Sequence, residues 1–183
     1  LKMGKRFDQI GKSHRKFIEA QRMFFVGSAA PDGRVNISPK GMDSLRVMGP
    51  NRVIWLNITG SGNETAGHLM ENNRMTLMWC AFEGSPMILR CYGSARAIHA
   101  SSTEWDDLYI HFKPHRSARQ IFDMSVELVQ NSCGYVVPLM EYRGERDTMD
   151  NWVSAKTDQD IRDYWTERNA LTIDGRPTGI PEK

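Results

Sequence analysis

The chain has 183 residues, of which 40% are hydrophobic and 25% charged, and it carries a net charge of +2 at neutral pH. That length suits one well-packed domain, and the balance is that of a globular chain, not a disordered one. A near-neutral charge without a basic cluster argues against a nucleic-acid or membrane partner, and no apolar run approaches the roughly 18 residues of a membrane-spanning helix.

From the N-terminus, Phe7, Ile10, Phe17 and Ile18 fall on one helical face with Lys and Arg between them, which predicts an amphipathic helix over about residues 5–21. MFFVGSAA then reads as a buried strand, Pro31-Asp32-Gly33 as a tight turn, and RVNIS as the returning strand. LRVMG and RVIWLN flank a Gly-Pro-Asn turn as the next two strands. After the TGSGN loop comes a short helix, roughly Glu64 to Glu71, which Asn63 is suited to cap. RMTLMWCAF and MILRCYGSARAIH are two long strands around the Glu83-Gly84-Ser85-Pro86 turn. Ser101-Ser102-Thr103-Glu104 matches a capping box that opens a helix ending before Pro114. In IFDMSVELV, the residues Phe122, Met124, Val126 and Leu128 alternate with polar neighbours, the mark of a half-buried strand. From Glu145 onward the sequence predicts two helices and a tail rich in Gly and Pro. Six or seven strands with helices at a few corners predict a mainly β barrel with added helices, one domain over 1–183.

Three widely spaced cysteines, Cys80, Cys91 and Cys133, form no C-x-x-C pair. With an N-terminus that lacks a secretory apolar core, they predict free thiols and a cytoplasmic setting. The N-x-[ST] triplets at Asn36, Asn57 and Asn63 then read as loop hydrogen-bonding chemistry. His111 and His115 have i, i+4 spacing, but Pro114 between them breaks the helix that a metal pair would need, so no metal site is expected. His14, His68 and His99 read as surface or capping residues, and the five tryptophans as packing residues. No catalytic residue can be assigned from spacing.

The stretch with most chemistry is Asn57 to Thr65, between a strong strand and a short helix. Gly60 and Gly62 allow close backbone approach, the hydroxyls and amides can donate, and the helix N-terminus adds positive potential. It is a candidate phosphate cradle, without the Gly-Lys-Ser/Thr of a P-loop or the glycine spacing of a dinucleotide fold. The partner stretch is Arg34 to Gly41, where Pro39 is expected to interrupt sheet pairing and turn Ser38 and Lys40 toward a ligand.

RVNISPK and ITGSGNET, with RMTLMWC and MILRCYGSARAI downstream, resemble the flavin site of the pyridoxamine 5'-phosphate oxidase family. The resemblance covers roughly residues 20–100 and implies a split β-barrel homodimer holding flavin mononucleotide (FMN) at its interface. It implies that Arg34, Val35, Asn36, Ile37 and Ser38 contact the ring and ribityl chain, and that Lys40 lies near the phosphate or the ring's polar edge. Ile58 and Thr59 would line the flavin, and Ser61, Gly62, Asn63 and Thr65 would hold the phosphate. The oxidase's Ser-Arg-Lys phosphate triplet is Asn63-Glu64-Thr65 here. Two positive charges are lost, each worth about 1.5–3 kcal/mol as a charge-assisted bond, and a carboxylate is gained. The missing cation is then sought at Arg74 or in a partner chain.

Tyr109, Lys113, Pro114 and Ser117 reproduce a substrate-phosphate spacing of the oxidase, but the oxidase's C-terminal substrate segment has no counterpart in Asn169 to Pro181. The resemblance therefore implies a flavin-dependent oxidoreductase of unidentified small-molecule substrate in preference to a vitamin B6 oxidase. A flavin- or haem-binding protein without turnover, and a deazaflavin-dependent reductase, stay open beside it.

Overall fold

The computed structural model describes residues 4–180, so the outermost three residues at each end of the expected 1–183 unit lie outside the described residues. Strand β1 is Arg6–Phe7, followed by helix α1 at Lys12–Ala20 and strands β2 (Phe24–Ser28), β3 (Asn36–Lys40), β4 (Leu45–Gly49) and β5 (Arg52–Ile58). Helix α2 (Glu64–Glu71) leads to β6 (Arg74–Cys80) and β7 (Met87–His99), and α3 (Trp105–Tyr109) leads to β8 (Ala118–Cys133). Helices α4 (Thr148–Ser154) and α5 (Asp158–Tyr164), a π-helical turn (Trp165–Asn169) and a tail complete the chain. Among the described residues, no helix is long and apolar enough to cross a membrane.

All strand pairs are antiparallel, in the order β3-β2-β6-β7-β8-β5-β4, with β1 added beside β8. The expected mainly β fold with added helices is the one observed, as a curled sheet that does not close. Its inner face carries Phe24, Val26, Trp55, Leu77, Trp79, Leu89, Phe122 and Met124, the centre of the main core. Trp55 stacks on Phe122 with ring centroids 4.4 Å apart. On the outer face Ile54, Leu56 and Ile121 pack under Trp105, Leu108 and Phe112 around α3. Strand β5 is thus covered on both sides, which explains its unbroken apolar run.

Several sequence expectations need correction. The first helix starts at Lys12, because Arg6 and Phe7 pair with Gln130 and Val129 of β8. Gly11 opens that helix, its N–H donating to His14 Nδ1 at 3.2 Å. Pro39 does not interrupt pairing; it sits opposite Phe25 inside β3, an edge strand, where a missing N–H is tolerated. The capping box before α3 does not form, and the helix is a short Trp105–Tyr109 turn. The Glu104 carboxylate is held by Arg96 at 2.7 Å on both oxygens, so it is not available to the backbone. His68 is fully buried against Ser28 Oγ at 3.1 Å and is not a surface residue.

The long β7–β8 ladder carries a bulge at Tyr92/Gly93, and a Cβ added at Gly93 would overlap the Ser125 carbonyl oxygen. Gly27 of β2 is different: an added Cβ meets only Thr76, at 3.7 Å or more. Gly93→Ala is expected to destabilise the fold by about 3 kcal/mol, and Gly27→Ala by less than about 1 kcal/mol, in urea unfolding followed by tryptophan fluorescence.

Candidate functional site

Because the sheet stays open, β3 and β5 face each other across a seam with no backbone ladder between them. Side chains bridge it instead. Lys40 Nζ, at the end of β3, donates to Asn57 Oδ1 on β5 at 3.2 Å and lies 5.3 Å from the Trp55 ring centroid. Asn36 Nδ2 donates to Thr65 Oγ1 at 3.3 Å, tying β3 to the start of α2. In this seam lies a cavity of about 350 Å³, lined by Asn36, Ser38, Lys40, Ser61, Gly62, Asn63 and Thr65 of the residues expected from sequence. Trp55, Asn57, Glu64 and Arg119 complete much of the remaining wall.

Arg119 is the residue that sequence reasoning missed. It is the second residue of β8 and is only 4% exposed. Its guanidinium donates to Gln120 Oε1 at 3.2 Å, to the Gly62 carbonyl at 3.1 Å and to Asn169 Oδ1. All three acceptors are neutral. Gln120 in turn accepts from Asn57 Nδ2 at 3.0 Å, so a chain of amides joins Lys40 to Arg119. Burial pushes the Arg119 guanidinium down to about 10 and, with Arg119 nearby, pushes the Lys40 ammonium down to about 8. The site therefore brings two cations together, Arg119 held by neutral acceptors and Lys40 beside it, with Glu64 the one carboxylate among the residues that line the cavity. Arg74, the cation sought from sequence, is instead exposed at the start of β6 and bonded to Asn72.

Other expected residues are placed elsewhere. Val35 and Ile37 are 71% and 70% exposed and do not line the cavity. Arg34 is drawn outward into an ion pair with Asp174. Ile58 packs with the outer core cluster, and Thr59 is buried, donating to the Ser117 carbonyl at 3.1 Å and accepting from Trp165 Nε1 at 2.6 Å. Asn63 stands at the N-terminus of α2, but its side chain makes no cap bond; Nδ2 reaches toward the Asn169 carbonyl at 3.5 Å. Tyr109 and Ser117 do not join the cavity. The Tyr109 hydroxyl accepts from the His115 N–H at 2.8 Å, and Ser117 Oγ sits 2.8 Å from His115 Nδ1. Among the described residues, no group of three or more His, Cys, Asp or Glu side chains is arranged to hold a metal ion.

The C-terminal tail supports the site from behind. Asn169, fully buried, holds Arg119 and donates to the Gly60 carbonyl at 3.0 Å. Thr172 and Thr178 pack on Gly67 of α2, where a Cβ would overlap Thr172. The Glu64 carboxylate accepts from the Ile173 N–H at 3.1 and 3.2 Å. The carboxylate gained in place of the oxidase's arginine thus clasps the tail. Glu64→Ala should raise amide hydrogen exchange at Ile173 about tenfold, the loss of about 1.4 kcal/mol from a charge-assisted bond.

Fold and cleft together define an open split-barrel protein with a cation-bearing seam. The chain matches the Pyridoxamine 5'-phosphate oxidase family over residues 10–133, and it belongs to that family. It is 35% identical over 152 residues to the Pyridoxamine 5'-phosphate oxidase family protein ustO of Aspergillus flavus, covering 78% of this chain and 59% of that protein. The chain thus spans about three-fifths of that relative's length. Among solved structures, a pyridoxamine 5'-phosphate oxidase candidate from Lactobacillus delbrueckii aligns with TM-score 0.54 and 13% identity, over 69% of this chain and 98% of that one. HupZ of Group A Streptococcus aligns with TM-score 0.53 and 15% identity, over 68% and 98%. Helices α4 and α5 and the tail lie beyond the family match.

Proposed function

We propose that the seam binds FMN and that the protein is a flavin-dependent oxidoreductase acting on a small molecule. The observation that carries this reading is Arg119, a buried cation held only by neutral oxygens, with Lys40 beside it. A buried charge without a counter-charge costs several kcal/mol, and a phosphate supplies the counter-charge. Two buried donors, Trp55 Nε1 on the cavity wall and Gln120 Nε2 behind it beside Asn57 and Arg119, have no acceptor, and Asn63 Oδ1 has no donor. Such orphaned groups fit a ligand rich in polar edges.

In this reading Arg119, Thr65, Asn63 and the first N–H groups of α2 hold the phosphate, where the helix terminus adds its positive potential. Asn36 and Ser38 offer an amide and a hydroxyl along β3 to the ribityl chain. The bound flavin supplies the electron chemistry, and the protein supplies position and charge. The exposed Val35 and Ile37 border a recess with Phe25, Met78 and Tyr92 on the outer sheet face, an apolar surface suited to a homodimer. Buried Cys80 and Cys91, neither in a disulfide, suit a reducing cytoplasmic setting.

The purified protein is expected to show oxidised-flavin absorbance and to release one flavin per chain on heating. A colourless protein that takes up no added FMN would overturn the reading. Rapid anaerobic bleaching by a nicotinamide cofactor is expected of the oxidoreductase, and absence of bleaching would leave a binder without turnover. Arg119→Lys, which keeps a charge but loses the planar fork, should weaken FMN binding at least tenfold, about 1.4 kcal/mol.

Lys40 gives the binding a pH dependence. Below about pH 8 its ammonium is charged and attracts the flavin; above that value it is neutral. The phosphate is already a dianion over this window. FMN affinity should therefore fall as pH rises above 8, by up to about tenfold per unit, and Lys40→Gln should flatten the profile in fluorescence titrations.

A further inference from the structure

A second cavity, of about 640 Å³, opens from the same seam, and Pro39, Lys40, Gly60 and Ser61 border both. Its character is different. The first cavity is walled by amides, hydroxyls and cations, whereas the far walls of the second are Met42, Met149, Trp152 and Tyr164. Trp152 and Tyr164 meet edge to face with centroids 5.2 Å apart, joining α4 to the end of α5. Both helices lie beyond residues 10–133, the stretch that the family model matches. That wall is therefore built largely from the segment that follows the matched residues.

The opposite wall is fixed by unusual backbone. Met42 and Asp43 both have left-handed φ, 58° and 52°, without being glycine. Such residues persist only where the surroundings enforce them. Here Arg46 does so, donating to both Asp43 carboxylate oxygens and to its carbonyl at 2.9 Å each. This held turn places Met42 at the cavity. Thioether and aromatic walls favour flat, apolar ligands and adapt to their outline. The cavity's charged lining is Arg22, Lys40 and Arg146 against one carboxylate, Glu145, a net positive balance that favours a ligand with an acidic group.

We propose that this second compartment is the substrate pocket, and that it takes a flat apolar or aromatic small molecule bearing one acidic group. The word substrate rests on the FMN reading above; the pocket and its ligand class do not.

Anilinonaphthalene sulfonate, flat, aromatic and anionic, is a direct probe. The FMN-loaded protein should bind one probe per chain with blue-shifted emission, and the uncharged phenylnaphthylamine should bind at least fivefold more weakly. Trp152→Ala and Met149→Glu should each weaken the probe at least tenfold while FMN affinity stays within twofold, which also reports that the variants are folded. Unchanged probe binding in both variants would overturn the proposal. So would displacement of the probe by FMN, which would make the compartment part of the cofactor's own site. Equal binding of the uncharged probe would overturn the acidic-group requirement. A protein that takes up no FMN, yet loses the probe on both substitutions with its circular dichroism unchanged, would refute the cofactor reading and support the pocket.

Discussion

A guanidinium that is buried and surrounded only by neutral oxygens organises the functional half of this molecule. Arg119 draws the Gly62 carbonyl, the Gln120 amide and the Asn169 amide onto one plane of donors. Through Gln120 and Asn57 the same chain of bonds reaches Lys40 on the far side of the seam. Each neutral acceptor recovers part of the desolvation cost, but none cancels the charge. The loop between β5 and α2 and the start of β8 are therefore tied to a positive centre that an anion stabilises.

The open sheet makes this possible. Had a backbone ladder joined β3 to β5, main-chain hydrogen bonds would fill the gap that Lys40, Asn57, Asn36 and Thr65 now cross with side chains. The inner core can remain well packed around Trp55 and Phe122 while the seam above it stays polar. One residue, Trp55, belongs to both regions: its ring stacks in the core and carries Lys40 on its face. Core packing and site geometry are coupled there.

Much of the fold is legible in the sequence because strand alternation and turn chemistry are local signals. The Pro31-Asp32-Gly33 turn and the alternation through Phe122 to Val126 are of this kind. The candidate loop from Asn57 to Thr65 was legible for the same reason: glycines and hydroxyls before a helix have a local meaning. Arg119 was not. Its role depends on Gly62 and Asn169, 57 and 50 residues away in sequence, and nothing in its neighbours announces that it is buried. The one local hint is a cation and an amide, Arg119-Gln120, set directly before the apolar pair Ile121-Phe122. The partner of Glu64 was hidden for a related reason. Beside a phosphate loop a carboxylate looks unfavourable, until the tail that arrives 109 residues later supplies an N–H for it. The strand at Arg6–Phe7 likewise depends on a distant partner, β8, and its apolar spacing matches a helix equally well.

The proline within β3 has a meaning beyond the site it borders. An edge strand ordinarily offers a row of unused donors and acceptors on which another chain can grow a sheet. Pro39 offers no donor, and the strand runs only from Asn36 to Lys40. The missing donor makes this rim a poor template for intermolecular strand addition. A sheet left unfinished along one seam is in this way protected against being finished by a neighbour.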